Sequence, residues 1–243
     1  MALPGIYDIF NEKWCKQTVW LYSDPHFGDE ELRKIIPNRP SDEELVQMIN
    51  SKVGRKDTII FLGDIGNPEY IKKIKGYKVL ICGNHDAGIS NYKRKIVRTG
   101  FNRNGYTRKE AMQKMAEIHP NCKYKVYEKL SFSSFYWVVE ADNCLFDEVY
   151  SGPLMVGEKL LLSHEPVNIP WVFNLHGHIH NIYHKNDKYH FNVCSDAIGY
   201  IPINFNQWLK KGYLSQIESI HRTTINEATK RKEKRNGKKI KSK

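Results

Sequence analysis

Five short motifs rich in Asp, His and Asn follow one another along the chain: Asp24-Pro25-His26, Gly63-Asp64, Gly83-Asn84-His85-Asp86, Ser163-His164 and Gly177-His178-Ile179-His180. They supply seven side chains that can bind hard or borderline divalent metal ions, namely Asp24, His26, Asp64, Asn84, His164, His178 and His180, and one spare histidine, His85. Seven ligands are too many for one tetrahedral ion and suit two ions that share a carboxylate. Any one motif is weak evidence, but the five together predict a metal site.

The first three motifs each follow a short apolar run that is typical of a strand. The pattern predicts strands over residues 18–22, 57–62 and 77–82, with helices over 41–53 and 68–75 between them. The alternation of strand and helix favours an α/β sheet. Because ligand sites in such sheets collect beyond the carboxyl ends of the strands, motifs distant in sequence can meet there.

The second half of the chain changes character. Short strands are predicted over 147–156, 159–163, 171–176 and 189–193, followed by a helical region over 205–211 and 213–229. These strands indicate a second sheet that carries His164 and the loop with His178 and His180. In an extended segment, alternate residues share a face, so this loop can direct both imidazoles to one side.

The order of the motifs resembles that of the calcineurin-like metallophosphoesterases, and most closely their short bacterial and phage-type members. The match covers roughly residues 18–93 and 145–205 and includes Ser-Asp-x-His-Phe-Gly from Ser23 and Asn38-Arg39-Pro40. The resemblance implies a four-layer α-β-β-α sandwich of two mixed sheets. It also implies one ion held by Asp24, His26, Asp64 and His180 and a second held by Asp64, Asn84, His164 and His178, with Asp64 bridging.

The resemblance further implies a phosphoester hydrolase in which a metal-bridging hydroxide attacks phosphorus and His85 assists the leaving oxygen. Asp86 could hold the His85 ring, or serve only as a turn or cap residue. Arg39 could bind a substrate phosphate through its guanidinium fork, or be a plain surface arginine. The mixed ligand set favours Mn, Fe, Zn, Ni or Co, with Mn first, over Ca or Mg. Residue Ile65 follows Gly63-Asp64 where Ser/Thr protein phosphatases continue Asp-Arg-Gly, so phosphodiesters or nucleotides are favoured over phosphoproteins.

Composition is that of a globular protein, with 243 residues, 40% hydrophobic and 27% charged. There is no apolar stretch near the ~18 residues that cross a bilayer, and residues 1–13 lack the layout of a signal peptide. We therefore expect a cytoplasmic protein without a membrane partner. The cysteines number five and show no Cys-x-x-Cys spacing, which disfavours a disulfide framework or a structural zinc site.

The net charge of +11 is concentrated in two segments. Residues 226–243 hold nine Lys and Arg against two acids, and residues 94–144 hold ten against five. We predict one phosphoesterase domain over 1–227, interrupted by an insert at about 94–144, and a basic, disordered tail over 228–243. Both segments could contact nucleic acid, the tail through phosphates and the insert through aromatic stacking. The alternative is a solvated charge run and an insert with its own aromatic core.

Two functions therefore remain open at the level of sequence. One is a phosphoester hydrolase that depends on two metal ions. The other is a nucleic-acid-binding module on the same fold with little or no catalysis.

Overall fold

The computed structural model describes residues 2–86, 92, 95–120, 122–181, 187–218 and 220–240. It is a mixed α/β structure whose chain divides into two compact units. The first unit comprises residues 1–86 and 150–243, and the second comprises residues 87–149. The second unit thus begins and ends slightly outside the predicted insert at 94–144.

The first unit contains a five-stranded sheet, apart from Glu148 and Val149, which begin its last strand and fall in the second unit. Its strands lie in the order β12 (Ile203–Asn204), β1 (Val19–Tyr22), β2 (Thr58–Phe61), β3 (Tyr77–Ile81) and β7 (Glu148–Tyr150). β1, β2 and β3 are parallel, with Trp20 opposite Ile59, whereas β12 pairs antiparallel with β1. The three parallel strands confirm the predicted alternation, and their carboxyl ends lie at one edge of the sheet.

A four-stranded sheet forms the other half of this unit. Its order is β11 (His190–Asn192), β10 (Phe173–His176), β9 (Leu160–Leu162) and β8 (Leu154–Gly157). β9, β10 and β11 are parallel, and β8 is antiparallel to β9. Both sheets therefore mix parallel and antiparallel pairs. The predicted second sheet is present, but the strand predicted over 147–156 is wrong in part, because Glu148–Tyr150 joins the five-stranded sheet and only Leu154–Gly157 belongs to this one. The parallel strands of the second sheet again end at one edge.

One hydrophobic cluster includes alternate residues of both sheets, among them Leu21, Ile60, Leu162 and Leu175, each without exposed surface. Alternate residues of a strand share a face, so these side chains identify the face of each sheet that packs in this cluster. The cluster also takes in the helices α1 (Asp8–Trp14) and α5 (Phe205–Lys210), each through buried aromatic residues.

Two further helices lie between β1 and β2, namely α2 (Glu30–Ile35) and α3 (Asp42–Lys52), and a 3₁₀ helix spans Pro68–Lys73. α3 confirms the helix predicted at 41–53, because the Ser41 hydroxyl accepts from the Glu44 amide while the Glu44 carboxylate accepts from the Ser41 amide. α1 and α2 were not predicted, since both are short and α2 buries no residue.

The second unit is a three-stranded antiparallel sheet with one helix. Its strands lie in the order β4 (Lys95–Asn102), β6 (Ser134–Asn143) and β5 (Lys123–Ser131). The helix α4 (Arg108–Ile118) has a capping box from Thr107 and Glu110. It packs its buried Ala111 and Met115 against Val139 and Ala141 of β6. This small core contains apolar residues from the strands and the helix.

The C-terminal segment differs from the expected disordered tail. Residues 220–240 form the helix α6, which has no buried side chain among those described. Its sequence contains five Lys and three Arg, which are good helix formers, and Lys230 forms an ion pair with Glu227 one turn earlier. Within the described part of the chain, no helix combines the length and apolar composition needed to span a bilayer.

Candidate metal centre

All seven predicted ligands lie in the first unit, on loops that follow strands. Asp24 and His26 come after β1, Asp64 after β2 and Asn84 after β3, while His164 follows β9 and His178 and His180 follow β10. The loops of the two sheets meet directly, because Ser23 and Cys194 form a parallel bridge and the Ser195 amide donates to the Ser23 carbonyl at 2.9 Å. Loops from two different sheets therefore converge on one place.

A first group is formed by Asp24, His26 and His180, whose ligand atoms all lie within 4.8 Å of one another. Among the described residues, no hydrogen-bond partner satisfies the buried Asp24 Oδ1 or His26 Nε2. These two atoms lie 3.9 Å apart, which is too far for a hydrogen bond. Because an unsatisfied buried polar atom is costly, a cation between these atoms would remove the penalty. Burial lowers the pKa of His26, despite the nearby carboxylates of Asp24 and Asp64, and so favours the neutral form that binds metal.

A second group is formed by Asp64, His164 and His178, again within 4.8 Å. The His164 Nε2 atom lies 2.8 Å from Asn84 Oδ1, 3.1 Å from His178 Nδ1 and 3.3 Å from Asp64 Oδ2. Four potential ligand atoms thus crowd one small volume. Burial opposes the charged imidazolium, but the hydrogen bond to Asp64 and the charges of Asp24 and Asp64 outweigh it and raise the pKa of His164 to about 9. In the protonated form of His164, the Nε2 proton lies where a cation could bind.

Asp64 stands between the two groups. Its Oδ2 atom lies 3.6 Å from Nε2 of His26 in the first group and 3.3 Å from Nε2 of His164 in the second. Its other oxygen accepts from the His85 amide at 3.0 Å. The side chain is 2% exposed, so the carboxylate is fixed and shielded from water. A carboxylate in this position can contact an ion in each group.

Contacts outside the two groups orient the imidazoles. The Nδ1 atom of His164 lies 2.7 Å from the Leu62 carbonyl, which accepts its proton and leaves Nε2 to face Asp64. The Nδ1 atom of His180 donates to Asp196 Oδ2 at 3.2 Å, and this hydrogen bond raises the pKa of His180. Metal-binding histidines commonly donate their second N–H to a carbonyl or carboxylate in this way.

Asp196 and Cys194 are residues that the sequence analysis missed. The Cys194 thiol donates to Asp24 Oδ2 at 3.0 Å, and burial raises its pKa, so it stays protonated and acts as a donor. Together with His180 the two residues form a third group of ligand type, which shares its histidine with the first. The only sequence signal was their place just after a predicted strand, since no motif marks them.

His85 and Asp86 occupy one tight turn beside the two groups. His85 is exposed, and its ring centroid lies 5.7 Å from that of His26. The carboxylate of Asp86 accepts backbone N–H bonds from Gly83 at 2.8 Å and from Asp64 and Ile65 at 3.0 Å each. These contacts are typical of a turn residue, which is the alternative role that the sequence allowed for Asp86. They fix the backbone on both sides of Asp64.

Arg39 is buried rather than on the surface, with 8% of its area exposed. Its guanidinium donates to the Pro25 carbonyl, lies 3.5 Å from the Ser195 hydroxyl and stacks 5.7 Å above the Tyr200 ring. Arg39 therefore supports the backbone between Asp24 and His26. Its predicted role in binding a phosphate stays a prediction.

Two glycines of the motifs are required because a side chain at either position would not fit. A Cβ atom at Gly177 would overlap the Ser23 hydroxyl and the Asp24 carboxylate. At Gly63, where φ is +92°, it would meet the His164 ring at 2.6 Å. The loops can approach one another this closely only because these positions lack side chains.

No protein-family model and no curated protein matches the chain. Two solved structures resemble it weakly. A protein of unknown function from Aquifex aeolicus is 19% identical, with a TM-score of 0.46, over 79% of this chain and 98% of its own. The Pseudomonas putida nuclease MPE is 17% identical, with a TM-score of 0.27, over 67% of this chain and 60% of its own. At such scores neither likeness assigns a fold or a function to this chain.

Proposed function

We propose that the chain is a phosphoester hydrolase that depends on two divalent metal ions, with Mn²⁺ favoured, and that acts on phosphodiesters or nucleotides. The observation that carries the proposal is the position of Asp64, whose Oδ2 atom lies 3.6 Å from His26 Nε2 and 3.3 Å from His164 Nε2. A shared carboxylate between two clusters of imidazole and carboxylate groups suits a pair of ions. The proposal includes the four-layer arrangement of the two mixed sheets that the motif order implies.

Asp24, His26, Asp64 and His180 would hold one ion, and Asp64, Asn84, His164 and His178 the other. Bound there, two such ions would acidify water towards neutral pH and neutralise charge on phosphate oxygens. The remaining chemistry belongs to the side chains. Asp64 would place negative charge between two bound cations, and the Leu62 carbonyl and Asp196 hold the rings of His164 and His180 in one tautomer.

His85 is the group that can meet a substrate. It is exposed next to His26, and the Asp86 contacts with the backbone hold its turn in place. An imidazolium at this position can donate a proton to a leaving oxygen, an effect that contributes about 10²–10⁴-fold to a rate.

The test is hydrolysis of bis-p-nitrophenyl phosphate and p-nitrophenyl phosphate by metal-free protein reconstituted with Mn²⁺, Fe²⁺, Zn²⁺, Ni²⁺ or Co²⁺. We expect turnover with Mn²⁺ and two bound ions per chain. His85→Ala should lower turnover about 10²–10⁴-fold without changing the metal content. Asp64→Asn should lower both. His221→Ala, which removes an exposed histidine of α6, is the matched control and should change neither.

Absence of turnover with every ion, or full activity in Asp64→Asn, would overturn the proposal. Two bound ions without any turnover would favour the alternative of a binding module on this fold.

A further inference from the structure

The sheet of the second unit has two faces of different composition. One carries Val97, Val126, Val139 and Ala141, which align across the strands, and helix α4 covers its centre. The opposite face consists of the residues that alternate with these along each strand. Across β5, β6 and β4 it carries four rows: Lys123, Asp142 and Ile96; Lys125, Glu140 and Arg98; Tyr127, Val138 and Gly100; and Lys129, Tyr136 and Asn102. We call this second set the open face.

The aromatic residues of this unit divide between the faces. Phe101, Tyr124 and Trp137 pack against the core under α4, as the alternative of a small aromatic core anticipates. Tyr127 and Tyr136 lie on the open face, on neighbouring strands and in adjacent rows, and each is partly exposed. The core therefore does not account for these two rings.

A groove of about 320 Å³ runs along the open face and is lined by Tyr127, Tyr136, Gly100, Arg98 and Lys129. Its size is that of a small ligand site. Gly100 leaves space beside Tyr136, because a Cβ atom there would lie 3.7 Å from the ring. The missing side chain therefore leaves a gap of methyl size beside the ring.

Charge favours an anionic occupant. Lys125 and Lys129 are exposed, and Lys125 lies 5.9 Å from the centroid of the Tyr127 ring. Glu140 offsets part of this charge, since its carboxylate accepts from Arg98 Nε at 2.7 Å and from the Tyr127 hydroxyl at 3.2 Å. Arg98 nevertheless keeps 59% of its side chain exposed. Two rings flanked by cations match the bases and phosphates of a single strand.

We propose that the open face of residues 95–143 is a binding site for single-stranded nucleic acid, with bases stacked on Tyr127 and Tyr136 and phosphates held by Lys129 and Arg98. The site is independent of the metal centre and of the proposed hydrolysis. It prefers single strands to duplexes, because bases must be unstacked to meet the rings.

Binding is measured by the fluorescence anisotropy of labelled single-stranded DNA, single-stranded RNA and duplex DNA, with the full chain in EDTA so that no hydrolysis intervenes. We expect Tyr127→Leu and Tyr136→Leu each to weaken single-strand binding at least about fivefold, since stacking contributes about 1–3 kcal/mol per base. The matched controls are Tyr127→Phe and Tyr136→Phe, which keep the rings and should bind nearly as wild type.

Two further variants separate binding from folding and charge. Gly100→Val fills the groove with a residue that favours strands, so it should lower affinity while the Tm is kept or raised. Lys129→Gln should reduce the slope of log K against log salt by about 0.7, the value for one phosphate contact on a single strand. Lys109→Gln, which removes an exposed charge from α4, should leave the slope unchanged.

The proposal is overturned if the Leu variants and Gly100→Val bind like wild type, if duplex binds as tightly as single strands, or if no oligonucleotide binds at low salt. Loss of binding on neutralising the lysines of α6, with no effect from the Tyr variants, would also overturn it and would place the contact on the C-terminal helix. Equal affinity for DNA and RNA agrees with stacking, and a strong preference for RNA adds a contact to the 2′-hydroxyl.

Discussion

Replacing Asp196 tests whether residues that hydrogen-bond to the predicted ligands affect the affinity for metal. The side chain is 4% exposed, and its Oδ2 atom accepts from His180 Nδ1 and from the Asn181 amide, each at 3.2 Å. In Asp196→Asn the amide oxygen can still accept one of these bonds, but the charge that favours the donating tautomer of His180 is lost. Removing such a partner weakens metal affinity about 10–100-fold, which corresponds to about 1.4–2.8 kcal/mol.

The assay is competition with a metal chelator, which resolves the two binding steps. We expect Asp196→Asn to weaken only one step, because His180 belongs to one group while His164 and His178 form the other. Asp187→Asn is the matched control. Asp187 accepts from His190 Nδ1 at 2.9 Å, but it is 52% exposed and its histidine is no ligand. Equal weakening of both steps, or the same loss in Asp187→Asn, would refute the reasoning.

Three further results are expected. Gly177→Ala should lower metal affinity and the Tm, because the new methyl group overlaps Asp24. Gly152→Ala adds a methyl group in open space and should change neither quantity. A metal titration and a thermal melt measure the two effects. Asp86→Ala should destabilise the protein by about 1–3 kcal/mol in urea unfolding, since it leaves backbone N–H groups of a part-buried turn without their acceptor. Ion binding near neutral pH should release a proton from His164, whose pKa is about 9, and the release should fade above that pH; calorimetry in buffers of different ionisation enthalpy measures it.

Much of the first unit follows from local sequence. Residues 59–62 before Asp64 and 79–81 before Asn84 are apolar at every position, which is the pattern of strands buried on both faces. The pair Ser41 and Glu44 fixes the start of α3. Such features depend on neighbours within a few positions, so a single sequence contains them.

The parts that were missed depend on distant partners. β4 was not predicted, because its residues are mostly exposed and it is a strand only through pairing with β6, whose residues lie more than thirty positions away, as for Phe101 and Trp137. Asp196 can hydrogen-bond to His180 only because the loop after β11 lies against the loop after β10. The carboxylate of Asp86 could not be assigned to backbone N–H groups before the turn was known.

The second unit shows why aromatic content alone left its role open. Tyr124 and Tyr127 are three positions apart on one strand, so they lie on opposite faces of the sheet. Tyr124 packs against the core under α4, and Tyr127 lies on the open face. Base stacking and core packing are thus both compatible with the composition, and only the register of β5 against β6 separates them.

The ligands of the metal centre lie in unusual backbone conformations. Asp24, His26, Asp64, His178 and His180 all have positive φ, between +40° and +70°. Each such residue costs about 1–3 kcal/mol and persists only where the surroundings determine it. Here the surroundings are the buried strands, which continue pairing into the loops, as when the amides of Asp24 and His26 donate to the carbonyls of Gly63 and Asp64 at 3.1 and 3.0 Å.

We expect the sheets, rather than an ion, to hold this strain, so that the ligand positions exist before metal binds. Chelation should therefore lower the Tm while far-ultraviolet circular dichroism keeps its native form, unlike small zinc domains that unfold without metal. An ion at 100 times its Kd would restore about 2.7 kcal/mol of stability. A chain that loses its secondary structure in EDTA would show instead that the ions, and not the strands, impose the positive φ values at Asp24 and Asp64.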